Sequence, residues 1–291
     1  MVTGPLVSVV VPCFNMGQTL DETMAAIEAQ DYDPIEVVIV NDGSTDPVTL
    51  ERLRHWEELG FATVIHQENR GPGHALNRAL EAARGVYFLN LGDDLIEPPY
   101  IGEAVAEMER DPNLGIVYCH ADLFGSESGP WRLPDFSMQV QLLNNLIFAT
   151  ALMRRSDWVT VGGYDEVMKG REDHDFNLRI LGLGRTVHRL DGLYFHYRRG
   201  RPSVNASLHH TANRDIFIDA YARMFRNNTQ LYHDYAEDFM REIFSFVDER
   251  NELRLRYRRL ERLRSSRFGG MLLAAVRLLR SAPRCRSRWR S

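Results

Sequence analysis

The sequence predicts an α/β fold: a mostly parallel sheet flanked by helices, with a C-terminal helical extension. Three observations carry this expectation. Short apolar, β-branched runs alternate with helical patterns over residues 1–120. A polar cluster follows each run, as happens where a buried parallel strand reaches the surface. From Thr211 onward the pattern is helical and increasingly charged. The chain has 291 residues, of which 44% are hydrophobic and 26% charged. It is long enough to bury a core without disulfides or metal staples, and a wholly disordered chain is excluded.

The elements follow in order. Val7–Val11 is continuous and apolar, so it reads as a buried strand. Leu20, Met24 and Ile27 then recur at helical spacing. Glu36–Val40 is a second buried strand, closed by the turn residues Asn41–Asp46, with Asp46 as N-cap and Pro47 in the first turn of the next helix. Ala62–His66 is a third strand, Gly71–Arg84 a helix and Val86–Leu91 a fourth strand. Pro98 and Pro99 open a helix that turns Ile101, Val105 and Met108 inward, and Gly115–Cys119 is one more strand. Alternation of this kind implies parallel strands with helices on both faces. Gly125–Pro134 reads as a loop, Gln139–Met153 as a largely apolar stretch and Asp173–Leu181 as a short helix. Gly192–Phe195 reads as a strand and Arg198–Ser207 as a mobile loop. Asp234–Arg264 is a long charged helix, and Phe268–Arg280 a second, amphipathic one. The chain is expected to divide at about residues 100 and 215, with a helical extension over 216–291.

Charge and cysteine content narrow the classes. The formal net charge of −5 hides an acidic body and a basic end, for residues 252–291 hold 13 Arg against 2 Glu. Lys169 is the only lysine. Cys13, Cys119 and Cys285 are far apart and form no CxxC pair, which argues against a disulfide framework or a structural zinc site and fits a reducing compartment. No apolar run approaches the ~20 residues that span a bilayer. Nucleic acid is not an expected partner, because the acidic body opposes it.

In an open parallel sheet, ligands bind beyond the carboxyl ends of the strands. The residues there are Pro12-Cys13-Phe14-Asn15, Asn41-Asp42-Gly43-Ser44, Asn69-Arg70-Gly71 and Gly92-Asp93-Asp94. Carboxylates at such an edge accept hydrogen bonds from a base or ribose, or hold a divalent cation against a diphosphate. Taken singly, each cluster also reads as a cap or turn. The glycines at 71 and 73 lack the third glycine of a dinucleotide fingerprint and follow the wrong strand, so a dehydrogenase is excluded. No P-loop occurs.

The blocks VSVVVPCFN (7–15), VIVNDGSTD (38–46), NRGPGHALN (69–77) and ARGVYFLNLGDD (83–94) resemble, in order and spacing, the successive signatures of the inverting family 2 glycosyltransferases, which have the GT-A fold. The resemblance runs over about residues 6–205, and it implies a nucleotide-sugar-binding half (1–100) and an acceptor-binding and catalytic half (101–215). It implies that Pro12, Phe14, Asn15, Asp42 and Arg70 line the base and ribose pocket, with Asp94 assigned to the nucleotide beside them. It implies Mn²⁺ or Mg²⁺ as cofactor, with Asp93 and His196 as candidate ligands. Leu91 stands where the family usually carries the first Asp of its D-x-D motif, so the expected site rests on fewer carboxylates. Gly162-Gly163-Tyr164-Asp165-Glu166 and Glu172-Asp173-His174-Asp175 resemble the family's GGFDE segment and its ED motif. By that resemblance Asp173 is the base that takes the acceptor proton, with Glu172 beside it. Read without the resemblance, the same acids suit a helix N-terminus. Arg198 and Arg201 are expected at the diphosphate, since guanidinium forks match phosphate oxygens.

The expected reaction is transfer of a sugar from a nucleotide-diphosphate-sugar to a hydroxyl of a glycan or lipid-linked acceptor, in cell-envelope glycan or glycolipid synthesis. Two alternatives stay open: a polyprenyl-phosphate acceptor on the same fold, or nucleotide-sugar binding without turnover. The amphipathic segment at Phe268–Arg280 and the arginines to Arg290 imply contact with an anionic membrane surface, and so a cytoplasmic protein peripheral on the inner face of the plasma membrane. A helix docked on protein is the competing reading of the same segment.

Overall fold

In the computed structural model, residues 2–200 and 214–265 are described. Strand β1 (Val2–Cys13) is flanked on both sides, by β2 (Tyr32–Asp42) and by β4 (Tyr87–Asn90), in parallel register. Val7, Val9, Val10 and Val11 are fully buried, so both faces of this strand are covered, and that is why its run is apolar without alternation. β3 (Ala62–Gln67) closes this half of the sheet beyond β2 and is partly exposed, as an edge strand is.

The helices between these strands form where expected. α1 (Leu20–Glu28) buries Leu20, Met24 and Ile27. α2 (Pro47–Glu58) begins on Asp46, whose carboxylate accepts from Thr49 N at 3.0 Å. α3 is Pro72–Ala82, and α4 (Tyr100–Arg110) buries Ile101, Val105 and Met108.

Beyond β4 the sheet becomes mixed. The remaining strands are β5 (Leu95–Ile96), β6 (Leu114–Gly125), β7 (Gly129–Trp131), β8 (Leu152–Arg154) and β9 (Thr186–Arg199). The order is β3-β2-β1-β4-β8-β6-β9-β5, with β7 paired to β6. β8 lies antiparallel between β4 and β6, while β9 runs parallel to β6. Six of the nine strands therefore share one direction, and the mostly parallel expectation holds. The stretch read as a loop at 125–134 contains β7, and the apolar stretch at 139–153 ends in β8. Three-residue strands are too short to show a period. Cys13 and Cys119 form no disulfide and are buried, one in β1 and one in β6. Burial holds the Cys119 thiol up to about 12.

Short helices α5 (Met138–Gln141) and α6 (Arg155–Val161) precede α7 (Glu172–Gly182). α8 (Arg214–Asn227) and α9 (Thr229–Asp234) complete the first compact unit, Met1–Ala236. The second unit, Glu237–Ser291, is described through α10 (Ala236–Ser265). No helix among the described residues is long and apolar enough to cross a membrane. The amphipathic segment expected at 268–280, the arginines after it and Arg201 lie outside the described residues.

Candidate functional site

The parallel arrangement delivers the polar clusters to one edge. β1, β2, β3 and β4 are neighbours running the same way, so residues 12–15, 41–44, 67–71 and 90–94 gather at their carboxyl ends. The loops there brace one another. Asn15, at φ 51°, accepts with Oδ1 from the N–H groups of Thr45 and Asp46 at 2.9 and 3.0 Å, and its own N–H donates to Ser44 Oγ at 3.0 Å. Asp42 is buried, and its carboxylate accepts from Arg70 N and Gly71 N at 2.8 and 2.9 Å and from Gln67 Nε2 at 2.8 Å. Asp42 thus shapes the Asn69–Gly71 turn through its backbone. The Arg70 side chain lines a polar cleft of about 420 Å³ with His66, Gln67, His74, Arg78 and Glu166. Pro12 is partly buried, and Phe14 is exposed at the same edge.

A second cavity, of about 400 Å³, brings together Asp94 at the end of β4 and Asp173 on the first turn of α7. Arg171 and Arg199 line it, with an aromatic wall that includes Trp131, Phe148 and Tyr197. The Trp131 and Tyr197 rings lie 4.9 Å apart, and Phe148 stacks on Phe195 at 4.4 Å. Asp42, Asp93 and Arg70 are not among its lining residues.

Asp173 is set by its neighbours. Asn145 Nδ2 donates to Asp173 Oδ2 at 2.9 Å. Asn145 Oδ1 is meanwhile taken by Gln141 Nε2 at 3.0 Å and Asn177 Nδ2 at 3.3 Å, which points the amide nitrogen at the carboxylate. Burial raises the proton affinities of both Glu172 and Asp173, and each anion destabilises the other. Glu172 Oε2 is buried with no hydrogen-bond partner among the described residues. Arg171 acts the opposite way and favours both anions. It precedes α7 in the left-handed region, at φ 65°, and its guanidinium sits over the Phe217 and Tyr221 rings of α8 at 5.3 and 5.6 Å. Asp175 faces away, binding Arg179 Nε at 2.8 Å and the amides of Asn227 and Asn228 at 3.1 and 3.0 Å.

The GGYDE segment is a joint. Gly162 and Gly163 both have φ 79°, and a Cβ on Gly163 would stand 2.6 Å from Asn77 Oδ1. Asp165 meets Arg223 of α8 at 2.5 Å, while Tyr164 is buried and stacked on Phe176 at 4.1 Å.

Asp94 is buried, and burial, with Asp93 beside it, pushes its carboxyl up to about 7 against a hydrogen bond from Arg198 N at 2.8 Å. The adjacent Asp93 and Asp94 carboxyl groups are hard oxygen donors, and that donor chemistry fits a divalent cation. Among the described residues no group of three or more His, Cys, Asp or Glu is placed to hold a metal alone. Of the other expected ligands and contacts, His196 has Nδ1 at 2.6 Å from Asp122 and Nε2 at 2.8 Å from Glu97. A metal at His196 would displace one of those carboxylates. The Arg198 guanidinium binds the Asp93 carbonyl at 2.7 Å and Glu22 at 2.5 Å, and lies 4.4 Å over Phe124. Arg199, the next residue, is the one that lines the cavity. Its Nε is buried without a hydrogen-bond partner among the described residues, and its Nη2 reaches Glu127 at 3.1 Å. Arg171, Asn145 and Trp131 carry no local motif and are visible only in three dimensions.

A family model described as Glycosyl transferase family 2 matches residues 8–172. An uncharacterized protein of Sinorhizobium fredii is 29% identical over 70% of this chain and 23% of its own length. An uncharacterized glycosyltransferase of Rickettsia typhi is 29% identical over 66% of this chain and 61% of its own length. Chondroitin synthase of Escherichia coli is 26% identical over 63% of this chain and 28% of its own length. The chain therefore spans less than two thirds of each of these relatives. Among solved structures, S. aureus TarS 1-349 in complex with UDP-GlcNAc superposes with a TM-score of 0.65 at 22% identity, over 82% of this chain and 73% of that one. The mannosyltransferase PcManGT of Pyrobaculum calidifontis, in complex with GDP-Man and Mn²⁺, superposes with a TM-score of 0.59 at 20% identity, over 94% and 80%. At these identities the likeness establishes a shared fold, the GT-A arrangement.

Proposed function

The chain belongs to glycosyl transferase family 2, and from that premise we propose that it moves a hexose from a nucleotide-diphosphate-sugar to an acceptor hydroxyl with inversion, in the synthesis of a cell-envelope glycan or glycolipid. One observation carries the reading: Asp94 and Asp173, 79 residues apart in sequence, line one cavity large enough for a sugar and a diphosphate. Chondroitin synthase, a relative named for glycan synthesis, and the neighbours solved with UDP-GlcNAc or GDP-Man support the choice of donor and acceptor class.

In this reading the nucleoside lies at the carboxyl ends of β1–β3, against Pro12, Phe14, Asn15, Asp42 and Arg70. Asp93, next to Asp94, would hold a Mn²⁺ or Mg²⁺ ion. When bound, that cation supplies positive charge to the departing nucleotide. Arg199, with Arg201 further along the chain, adds fixed positive charge where the leaving group becomes more anionic. The acceptor ring rests against the Trp131 and Tyr197 wall. Asp173 Oδ takes the acceptor hydroxyl proton as the oxygen attacks the anomeric carbon from the face opposite the nucleotide. A positioned base of this kind contributes ~10²–10⁴-fold. Asn145 orients Asp173, and Arg171 keeps it anionic. The basic residues of 252–291 suit an anionic membrane surface on the cytoplasmic side.

Thermal shift against a panel of nucleotide-sugars, with and without Mn²⁺, tests the donor half, because a ligand of the folded state raises the melting point by mass action. Asp173→Asn tests the chemistry. The expected result is an unchanged donor shift with transfer reduced ~10²–10⁴-fold. Transfer at near wild-type rate would remove the base assignment and favour an acceptor that is already anionic, such as a polyprenyl phosphate.

A further inference from the structure

The bend that joins β4 to β5 carries Asp93 and Asp94, and its backbone is held by side chains from other elements. Thr23 Oγ1, on the buried face of α1, donates to the Asp94 carbonyl at 3.2 Å. Arg198, next to the end of β9, grips both acids. Its main-chain N–H donates to Asp94 Oδ1 at 2.8 Å, and its Nε donates to the Asp93 carbonyl at 2.7 Å. Its Nη2 donates to Glu22 Oε2 of α1 at 2.5 Å, and the guanidinium lies 4.4 Å over the Phe124 ring of β6. The Arg198 side chain is only 13% exposed. One residue thus ties the two acids to α1, β6 and β9.

The donors of a planar guanidinium have fixed directions. With Nη2 on Glu22 and one face on Phe124, Nε is aimed at one point, and that point is the Asp93 carbonyl. A carbonyl held in place fixes the plane of its peptide, and with it the direction in which the Asp93 side chain leaves the chain. That direction matters more here than in a site rich in ligands. Leu91 is fully buried and offers no oxygen, so this bend presents the carboxyl groups of Asp93 and Asp94 alone. The charge of Arg198 works the other way, because a cation beside a divalent ion repels it. Arg198 can favour such an ion only through the geometry it imposes.

We propose that Arg198 is a positioning residue: its guanidinium sets the Asp93–Asp94 bend in the form that receives a divalent cation, and so raises cation affinity although its own charge opposes the ion. The inference rests on the cation site of the proposed function and adds the side chain that shapes it.

Mn²⁺ binding to the full chain, read from the paramagnetic resonance of the free ion, tests it with Mn²⁺ alone and then with UDP or GDP present. Arg198→Gln removes the fork and the charge but keeps the main-chain N–H. Mn²⁺ affinity should fall about 10–100-fold, the usual cost of losing a group that orients a metal ligand. Arg198→Lys keeps the charge without the fork and should lose affinity as well. Phe124→Leu changes no charge and should weaken the ion by less. It keeps the test open if Arg198→Gln does not fold, which the unfolding midpoint without metal reports. UDP and GDP binding in EDTA should stay at wild-type values in all three. Unchanged or tighter Mn²⁺ binding in Arg198→Gln overturns the inference, tighter binding being what the charge alone would give. Wild-type affinity in Arg198→Lys overturns it too, since the fork would then be unnecessary. Loss of nucleotide binding in EDTA, with Mn²⁺ binding intact, would place the guanidinium on the diphosphate instead. A wild-type chain that takes up no Mn²⁺ overturns the inference and the cation site together, and nucleotide binding in EDTA would then leave the donor reading standing.

Discussion

Asn77 holds Tyr164 by both of its main-chain polar groups: Oδ1 accepts the Tyr164 N–H at 2.7 Å, and Nδ2 donates to the Tyr164 carbonyl at 2.9 Å. The same amide accepts from Trp158 Nε1 at 3.1 Å and donates to Glu166 Oε1 at 2.9 Å. One side chain on α3 therefore clamps the segment that leads into α7 and Asp173.

Asn77→Ala leaves the buried Tyr164 backbone and the Trp158 ring nitrogen without these partners. Unmet polar groups of this kind cost about 1–3 kcal/mol each. The expected loss is about 2–4 kcal/mol, read as a fall in the urea midpoint at unchanged slope. A change within about 0.5 kcal/mol, the range of ordinary surface substitutions, would show that the clamp carries no stability.

Arg171→Met should move the acid limb of kcat/KM to higher pH. The base works deprotonated, so activity rises with pH through the titration of the Glu172–Asp173 pair. Burial and mutual repulsion already hold that titration above the usual carboxylate range, and Arg171 opposes them. The other groups that face Asp173 are the Asn145 amide, the Tyr164 and Tyr221 hydroxyls, and, across the cavity, Asp94 and Arg199. None of these replaces the lost cation on α7. Arg171→Lys should hold the limb nearer its wild-type position. An unmoved limb in Arg171→Met would reduce Arg171 to a packing residue.

His174 gives a pH dependence to stability. It is fully buried, its Nε2 donates to Gln141 O at 2.5 Å, and burial drops its pKa from 6.5 to about 4. Between those values the unfolded chain binds more protons, so wild-type stability falls as pH drops from 6.5 toward 4. His174→Gln has no such proton to take up. The stability gap between wild type and this variant should narrow by about 2 kcal/mol between pH 7 and pH 5. A constant gap would mean that the imidazole titrates normally.

The parallel half of the fold was legible because its strands are buried on both faces. Val7–Val11 and Glu36–Val40 read as strands with no help from context, and the polar residues beyond them fell where such strands end. β5, β7 and β8 were illegible: two or three residues show no period, and what makes them strands is the neighbour each pairs with. The site divided along the same line. Asp42, Asp93, Asp94, Glu172 and Asp173 stood in motifs. Asn145 acts on Asp173 only because the 138–148 segment folds against α7, and the clamp on Arg171 comes from Phe217 and Tyr221 on a helix beyond the matched blocks. Arg198 and Arg199 are one residue apart on a strand, where alternate side chains take opposite faces, so choosing between them required the pleat. α10 was legible from its length and charge.

Cys13 and Cys119 sit in different halves of the sheet, one in its parallel part and one in its mixed part, and neither reaches solvent. A thiol reagent meets either sulfur only after the strand that carries it has parted from its neighbours. The two modification rates are thus built-in clocks. Equal rates would mark a sheet that opens as one piece, and a faster Cys119 would mark the mixed part giving way first.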